Sequence, residues 1–195
     1  GTALQARGPS DESRLRSVLK PWKLLDSAPV PGSQSELRLH QRGSELSIRV
    51  DGAELMNSRA SASEIGLSEL GCARICERRA ARVLIGGLGM GFSLRSALAA
   101  LQSDAQVVVA ELVPAVVRWN RDHFGELADH PLRDPRVSVQ ERDVGELIRR
   151  AQGEFDAILL DVDNGPNGLT RSANDHLYAR AGLLAARNAL RSRGV

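Results

Sequence analysis

Aromatic side chains are scarce in this 195-residue chain. Three Phe, two Trp and one Tyr cannot furnish a row of flat rings on which successive nucleic-acid bases would stack. Lysine is nearly absent as well, at two residues against 24 arginines, and 26 basic residues set against 24 acidic ones leave a formal charge of only +2. No polyanion-binding surface is implied, so nucleic acid is not an expected partner. Cysteine is limited to Cys72 and Cys76, four positions apart in a segment patterned as a helix, with no second pair to complete a metal site. His40, His123, His130 and His176 are scattered along the chain. Two buried free thiols and no metal are the expectation. Long hydrophobic runs are missing too: the stretches around 83–92 and 107–110 are far shorter than the roughly 18 to 20 residues a bilayer span needs, and no charged-then-apolar leader opens the sequence. A soluble, cytoplasmic protein with no membrane partner is expected.

What is present is a composition of 42% hydrophobic and 26% charged residues, that of a single globular domain with a small extension. Residues 1–35 mix Gly, Ser and charges, and Pro9, Pro21, Pro29 and Pro31 interrupt any long element, so this stretch reads as an arm with one short helix near 12–19. Over 36–60 the pattern becomes apolar–polar alternation broken by QRGS and DG turns, which predicts a small antiparallel β-meander. Ile65, Leu67, Leu70, Cys72 and Ile75 then suit a helix within 61–81. Short runs of Val, Ile and Leu next alternate with helical segments in the order β-α-β-α-β-α-β-α. Strands with so little internal alternation are those covered by helices on both faces. The predicted class is therefore α/β: a doubly wound, mostly parallel Rossmann-like sheet over 61–195, preceded by the meander. The sequence stops at Gly194 and Val195, where a fifth strand would start, so the sheet edge is expected to be covered by further chain or by a partner.

The Gly-rich segment Gly86, Gly87, Leu88, Gly89, Met90, Gly91 follows a strand and opens a helix, which turns backbone N–H groups and the positive end of the helix dipole toward one crevice. Glu111 ends the next strand 20 residues beyond Gly91, where an acidic side chain accepts both hydroxyls of a ribose. Asp143 and Asp161 end the third and fourth strands, so every strand terminus on one rim presents a glycine or a carboxylate. Capping is the competing use of these acids, because Asp143 precedes a helix and Glu111 stands just before the Pro114 helix. Taken together they indicate a nucleoside, and one with a positive centre: a diphosphate would meet Asp161 and Asp163 as like charges, whereas a sulfonium or amine would meet them as partners.

VLIGGLGMG, VVVAELVPAVVRWNR, DPRVSVQERD and FDAILLDVDNGP, in this order and spacing, resemble the aminopropyltransferases of the spermidine synthase family, within the wider S-adenosylmethionine-dependent methyltransferase-like fold. The resemblance covers roughly 45–195 and includes the meander. It implies that decarboxylated S-adenosylmethionine, or S-adenosylmethionine itself, is the donor substrate and a small-molecule amine the acceptor. Under it Glu111 holds the ribose, Asp143 and the backbone of Val144 read the adenine, and Gly86, Gly87, Gly89 and Gly91 surround the donor's tail. Asp161 is then the reactive carboxylate, and Asp163, Asn164 and Glu64 stand at the acceptor. The family is usually oligomeric, so a homodimer is expected.

Three departures accompany the matches. The family's Gly loop usually carries an Asp where Gly89 stands; its Tyr-His-Glu after the meander is replaced by Ser63, Glu64, Ser68 and Glu69; and the second acid of its Asp-x-x-Asp loop is Asn164, with Asp163 beside it. They keep two other readings open: a small-molecule methyltransferase using intact S-adenosylmethionine, and a non-catalytic relative used for binding or assembly. Trp22 and Trp119 read as packing residues, and Tyr178 is left outside the site.

Overall fold

Alternation in the first part of the chain and continuous apolar runs in the rest build two sheets of different kinds in the computed structural model, which describes residues 20–162 and 176–195. Strands β1 (Lys23–Pro29), β2 (Glu36–Arg42), β3 (Glu45–Val50) and β4 (Ala53–Asn57) form an antiparallel meander in sequence order. Leu37 faces Val50 and Leu39 faces Ile48 across β2 and β3, and all four are buried, so the alternating positions supply one apolar face. The β3–β4 turn places both Asp51 (φ 46°) and Gly52 (φ 84°) in the left-handed region, the conformation a two-residue hairpin with the natural strand twist requires.

Strand β1 corrects the reading of 1–35 as an arm. Its pattern was hidden because it is an edge strand in which only Ala28 is buried, because its register shifts between Leu24 and Asp26, and because Pro29 closes it. An edge tolerates proline, whose missing N–H would break a central ladder. The meander consequently begins at Lys23 rather than at residue 36. The short helix expected near 12–19 lies outside the described residues.

Helix α1 (Ala62–Cys72) is shorter than its apolar pattern, and the chain leaves it through turns that reach a left-handed Ala80 (φ 49°). Cys72 therefore ends the helix and Cys76 lies beyond it, so the two thiols do not share a helical face. Cys72 is buried and Cys76 half-buried. Burial, with a smaller contribution from Cys76, pushes the Cys72 thiol up to about 11, which keeps it protonated and inert.

The second sheet is parallel: β5 (Arg82–Gly86), α2 (Phe92–Ala100), β6 (Gln106–Ala110), α3 (Pro114–Trp119), β7 (Val137–Gln140), α4 (Val144–Arg150), β8 (Ala157–Leu160) and α5 (Arg180–Ala189) follow one another, with strand order β7-β6-β5-β8. The period of two divides each strand between two cores. Val83, Ile85, Val107, Val109, Ala157 and Leu159 join the core shared with the meander, while Leu84, Val108 and Ala110 join Val144, Ile148 and Ala189 on the opposite face. Both faces being covered explains why the strands read as unbroken apolar runs. The last helical segment is interrupted within the described residues: Ala179 is extended (ψ 160°), and α5 starts after it. Beside β8, Val195 donates to the Asp156 carbonyl and accepts from Ile158 N–H, so this edge already carries a parallel partner from the chain that follows α5.

Strand order fixes where a ligand can lie. The chain runs outward from β5 through β6 to β7 and then returns to the other side of β5 for β8, so the two connections leaving β5 and β8 part at their carboxyl ends and open a crevice there. One lateral tie locks the meander over this region: the Trp119 indole N–H and Arg118 both donate to Oδ2 of Asp26, at 2.7 and 3.0 Å. Among the described residues no helix is long and apolar enough to cross a membrane.

Candidate active site

The crevice is walled on one side by the sheet rim and on the other by apolar side chains of the meander and its turn, Val30, Leu37, Ile48, Leu55 and Met56. Gly87, Gly89, Glu111, Asp143, Val144 and Asp161 all line this one cleft, together with Arg142, which no motif singles out. Gly86 and Gly91 stand behind it. A Cβ on Gly86 would press on Val144 Cγ2 at 2.9 Å, and Gly91, left-handed at φ 87°, is the N-cap of α2.

The Gly loop is held by its backbone. Gly87 N–H donates to the Ala110 carbonyl and Asp161 N–H to the Gly86 carbonyl, both at 2.8 Å, so the loop is stitched to the strand ends on either side. Gly87 has φ 90°, and a Cβ there would strike the Asp161 carbonyl oxygen; only glycine meets both demands. Asn120 adds a third tie, donating to the Gly89 carbonyl at 2.7 Å. A Cβ on Gly89 (φ 51°) would lie 2.7 Å from the Met56 methyl, so the space a loop side chain would enter is taken by a thioether from the meander.

Glu111 is buried, and its carboxylate accepts Leu88 N–H on one oxygen (2.9 Å) and Val113 N–H on the other (2.8 Å). Burial raises its pKa, against which the backbone donors work. Each oxygen keeps a lone pair beyond these bonds, so capping the loop and accepting ligand hydroxyls are compatible. Asp143 also caps: Oδ1 accepts Glu146 N–H at 3.0 Å at the start of α4.

Asp161 is the most chemically marked group in the cleft. Burial raises its pKa, the hydrogen bond from Ser93 opposes the rise, and the Glu64 carboxylate adds to it. Glu64 itself, on the first turn of α1, accepts a hydrogen bond from the Ser63 hydroxyl at 2.7 Å and faces Asp161 without lining the cleft. Asp163 and Asn164 lie outside the described residues. Two residues here were not anticipated. Ser93, on α2, donates to Asp161 Oδ2. Tyr178 has its phenol pushed up by burial first and by the Asp161 charge second, which brings the segment before α5 to the same corner. Neither belongs to a motif, and only the fold brings 64, 93, 161 and 178 together. Among the described residues no cluster of His, Cys, Asp and Glu is arranged to hold a metal.

No protein-family model and no curated protein sequence matches this chain. Solved structures do. A spermidine synthase in complex with the transition state analogue AdoDATO superposes with a TM-score of 0.66 at 18% identity, over 86% of this chain and 53% of that one. Spermidine synthase from Thermotoga maritima gives 0.64 at 18% identity, over 86% and 54%. The chain has a spermidine synthase-like fold. A probable spermidine synthase from Corynebacterium glutamicum ATCC 13032 matches with 0.51 at 20% identity, over 72% and 51%. The chain thus spans about half the length of these structures.

Proposed function

We propose that the protein transfers an aminopropyl group from decarboxylated S-adenosylmethionine to a small-molecule amine, releasing methylthioadenosine. The observation that carries this reading is the gathering of Glu111, Asp143, Asp161 and the Gly loop around one cleft at the switch point of the parallel sheet. The fold shared with a spermidine synthase that binds AdoDATO supports it.

In this reading Glu111 accepts the ribose hydroxyls, Asp143 and the Val144 backbone take the adenine, and the apolar meander wall excludes water from the reacting end. The sulfonium supplies an electrophilic carbon and a neutral thioether leaving group. An amine is protonated at neutral pH and cannot attack, so a carboxylate beside that carbon must first hold the ammonium and then take its proton. Its place in the cleft and its raised proton affinity support Asp161 in that task. Once one ammonium proton has passed to Asp161, the freed nitrogen lone pair forms the new N–C bond as the C–S bond breaks with its electron pair on sulfur.

Incubation of the protein with decarboxylated S-adenosylmethionine and a panel of amines that includes putrescine tests the proposal. Methylthioadenosine should accumulate with at least one acceptor and not with Asp161→Asn; its absence with every amine refutes it. A second reading, methyl transfer from intact S-adenosylmethionine, is favoured by Gly89 and Met56, since the Gly loop carries no carboxylate and Met56 fills the space of one. S-adenosylhomocysteine would then be the product.

A further inference from the structure

The carboxylate at the end of β8 is supported by a hydroxyl that has two acceptors and one proton. Ser93 sits in the first turn of α2, only 1% exposed, and its Oγ reaches both Asp161 Oδ2 and, at 3.4 Å, the backbone carbonyl of Glu64 on α1. Its backbone is fixed from the same direction, because the buried Ser68 hydroxyl on α1 donates to the Ser93 carbonyl at 2.8 Å. Two neighbouring helices therefore hold Ser93 in place while its O–H remains able to rotate. A hydroxyl donates only once but accepts as well, so the two acceptors are served in turn.

We propose that Ser93 is a positioning residue whose hydroxyl follows the charge of Asp161, donating to Oδ2 when the carboxylate is ionised and turning to the Glu64 carbonyl, while accepting from Asp161, when the carboxyl holds a proton. This rests on the reading of Asp161 as acceptor of the amine proton. A base in that role passes through both charge states in each turnover, and a fixed donor such as a backbone N–H would favour only the ionised one. Ser93 satisfies each state with its Oγ in the same place, so Asp161 can keep one orientation through the cycle. Among the described residues, the other ionisable groups facing Asp161 are Glu64 from α1 and Tyr178 from the segment before α5; neither offers a rotor with a second acceptor waiting. Nothing in the sequence resemblance assigns a role to position 93.

The test follows the Asp161 carboxyl by carbon-13 NMR across pH in the full chain, with its resonance assigned by its loss in Asp161→Asn. Ser93→Ala removes a partner from both forms, but the charge-assisted bond to the ionised carboxylate is the stronger of the two, so the midpoint should move upward by about one pH unit. Ser93→Thr should return it to the wild-type position. Ser96→Ala, which removes the hydroxyl that Ser96 donates to the Ile65 carbonyl between the same two helices and that bonds neither Ser93 nor Asp161, should leave it unmoved. In the transferase assay the acid limb of kcat/KM should shift in the same direction in Ser93→Ala, with KM for the donor unchanged. An unmoved midpoint in Ser93→Ala, or an equal shift in Ser96→Ala, overturns the proposal. If the midpoints behave as stated but no amine yields methylthioadenosine, the transferase reading falls and the link between Ser93 and the Asp161 charge stands.

Discussion

Leu88 donates its backbone N–H to Oε2 of Glu111 across 2.9 Å, joining the Gly loop after β5 to the residue that ends β6. The same carboxylate takes Val113 N–H on its other oxygen, so one side chain closes the floor of the cleft and presents itself to it. Replacing Glu111 with Gln turns an NH2 group toward one of two buried N–H donors. A loss of about 1–3 kcal/mol in stability, read from urea unfolding, is the expected outcome. Affinity for methylthioadenosine should fall at least about tenfold, since one ribose acceptor is lost as well.

For Asp161 the consequence is a trade of stability against activity. Burial raises its pKa in the folded protein above the unfolded value, so the fold binds the proton more tightly than the unfolded chain does. Stability contributed by this group is full below the unfolded value and is lost as pH rises through the folded one. Asp161→Asn should therefore melt higher than wild type at pH 7, by about 2–4 °C for a stabilisation of about 1 kcal/mol, and the difference should vanish near pH 4. A melting series from pH 4 to 8 reads both. Transfer by the wild type should decline as pH falls through the raised Asp161 value, placing the acid limb above the ordinary carboxylate range.

Two glycines with positive φ make a matched pair. At Gly87 an Ala side chain meets both the left-handed backbone (φ 90°) and the Asp161 carbonyl oxygen, whereas at Gly153 (φ 58°) it meets open space. Gly87→Ala should cost more than about 2 kcal/mol and displace Asp161, while Gly153→Ala should cost about 1 kcal/mol from backbone conformation alone. Thermal melts of the two variants decide this.

Much of the cleft's sheet rim was legible because the α/β sheet writes itself plainly: residues such as Ile85 and Val109 face one core, Leu84 and Val108 the other, and the loops at the strand ends carry the glycines and acids. The meander wall was less so. Strand β1 is half-exposed and bulged, so it shows no clean alternation, and Met56 becomes a cleft residue only through the register of β4 with β3. Ser93 and Tyr178 were illegible for a different reason. Their importance lies in proximity to Asp161 across 68 and 17 residues of chain, a relation that no local spacing encodes. The end of α1 was misjudged because Ile75 continues the apolar period after the backbone has left the helix.

Asp26 supplies the tie between meander and sheet. Trp119 is 1% exposed, and Asp26→Ala leaves its indole N–H without the acceptor it has at 2.7 Å. A cost of about 1–3 kcal/mol is expected, reduced when Trp119→Phe is added, because the orphaned donor is then gone. The Trp119 and Arg118 hydrogen bonds hold the Asp26 carboxyl below its ordinary value, so this contribution is present at neutral pH and is lost as pH falls through the folded value. A double-mutant cycle at pH 7 and at pH 3 measures it.

If the cleft takes an adenosyl sulfonium, as proposed, calorimetric titration of the full chain with decarboxylated and intact S-adenosylmethionine will show it. Saturable binding of at least one of them with Kd below about 1 mM, weakened at least about tenfold by Glu111→Ala, is the predicted result. No binding of either compound, or binding that Glu111→Ala leaves unchanged, would contradict it.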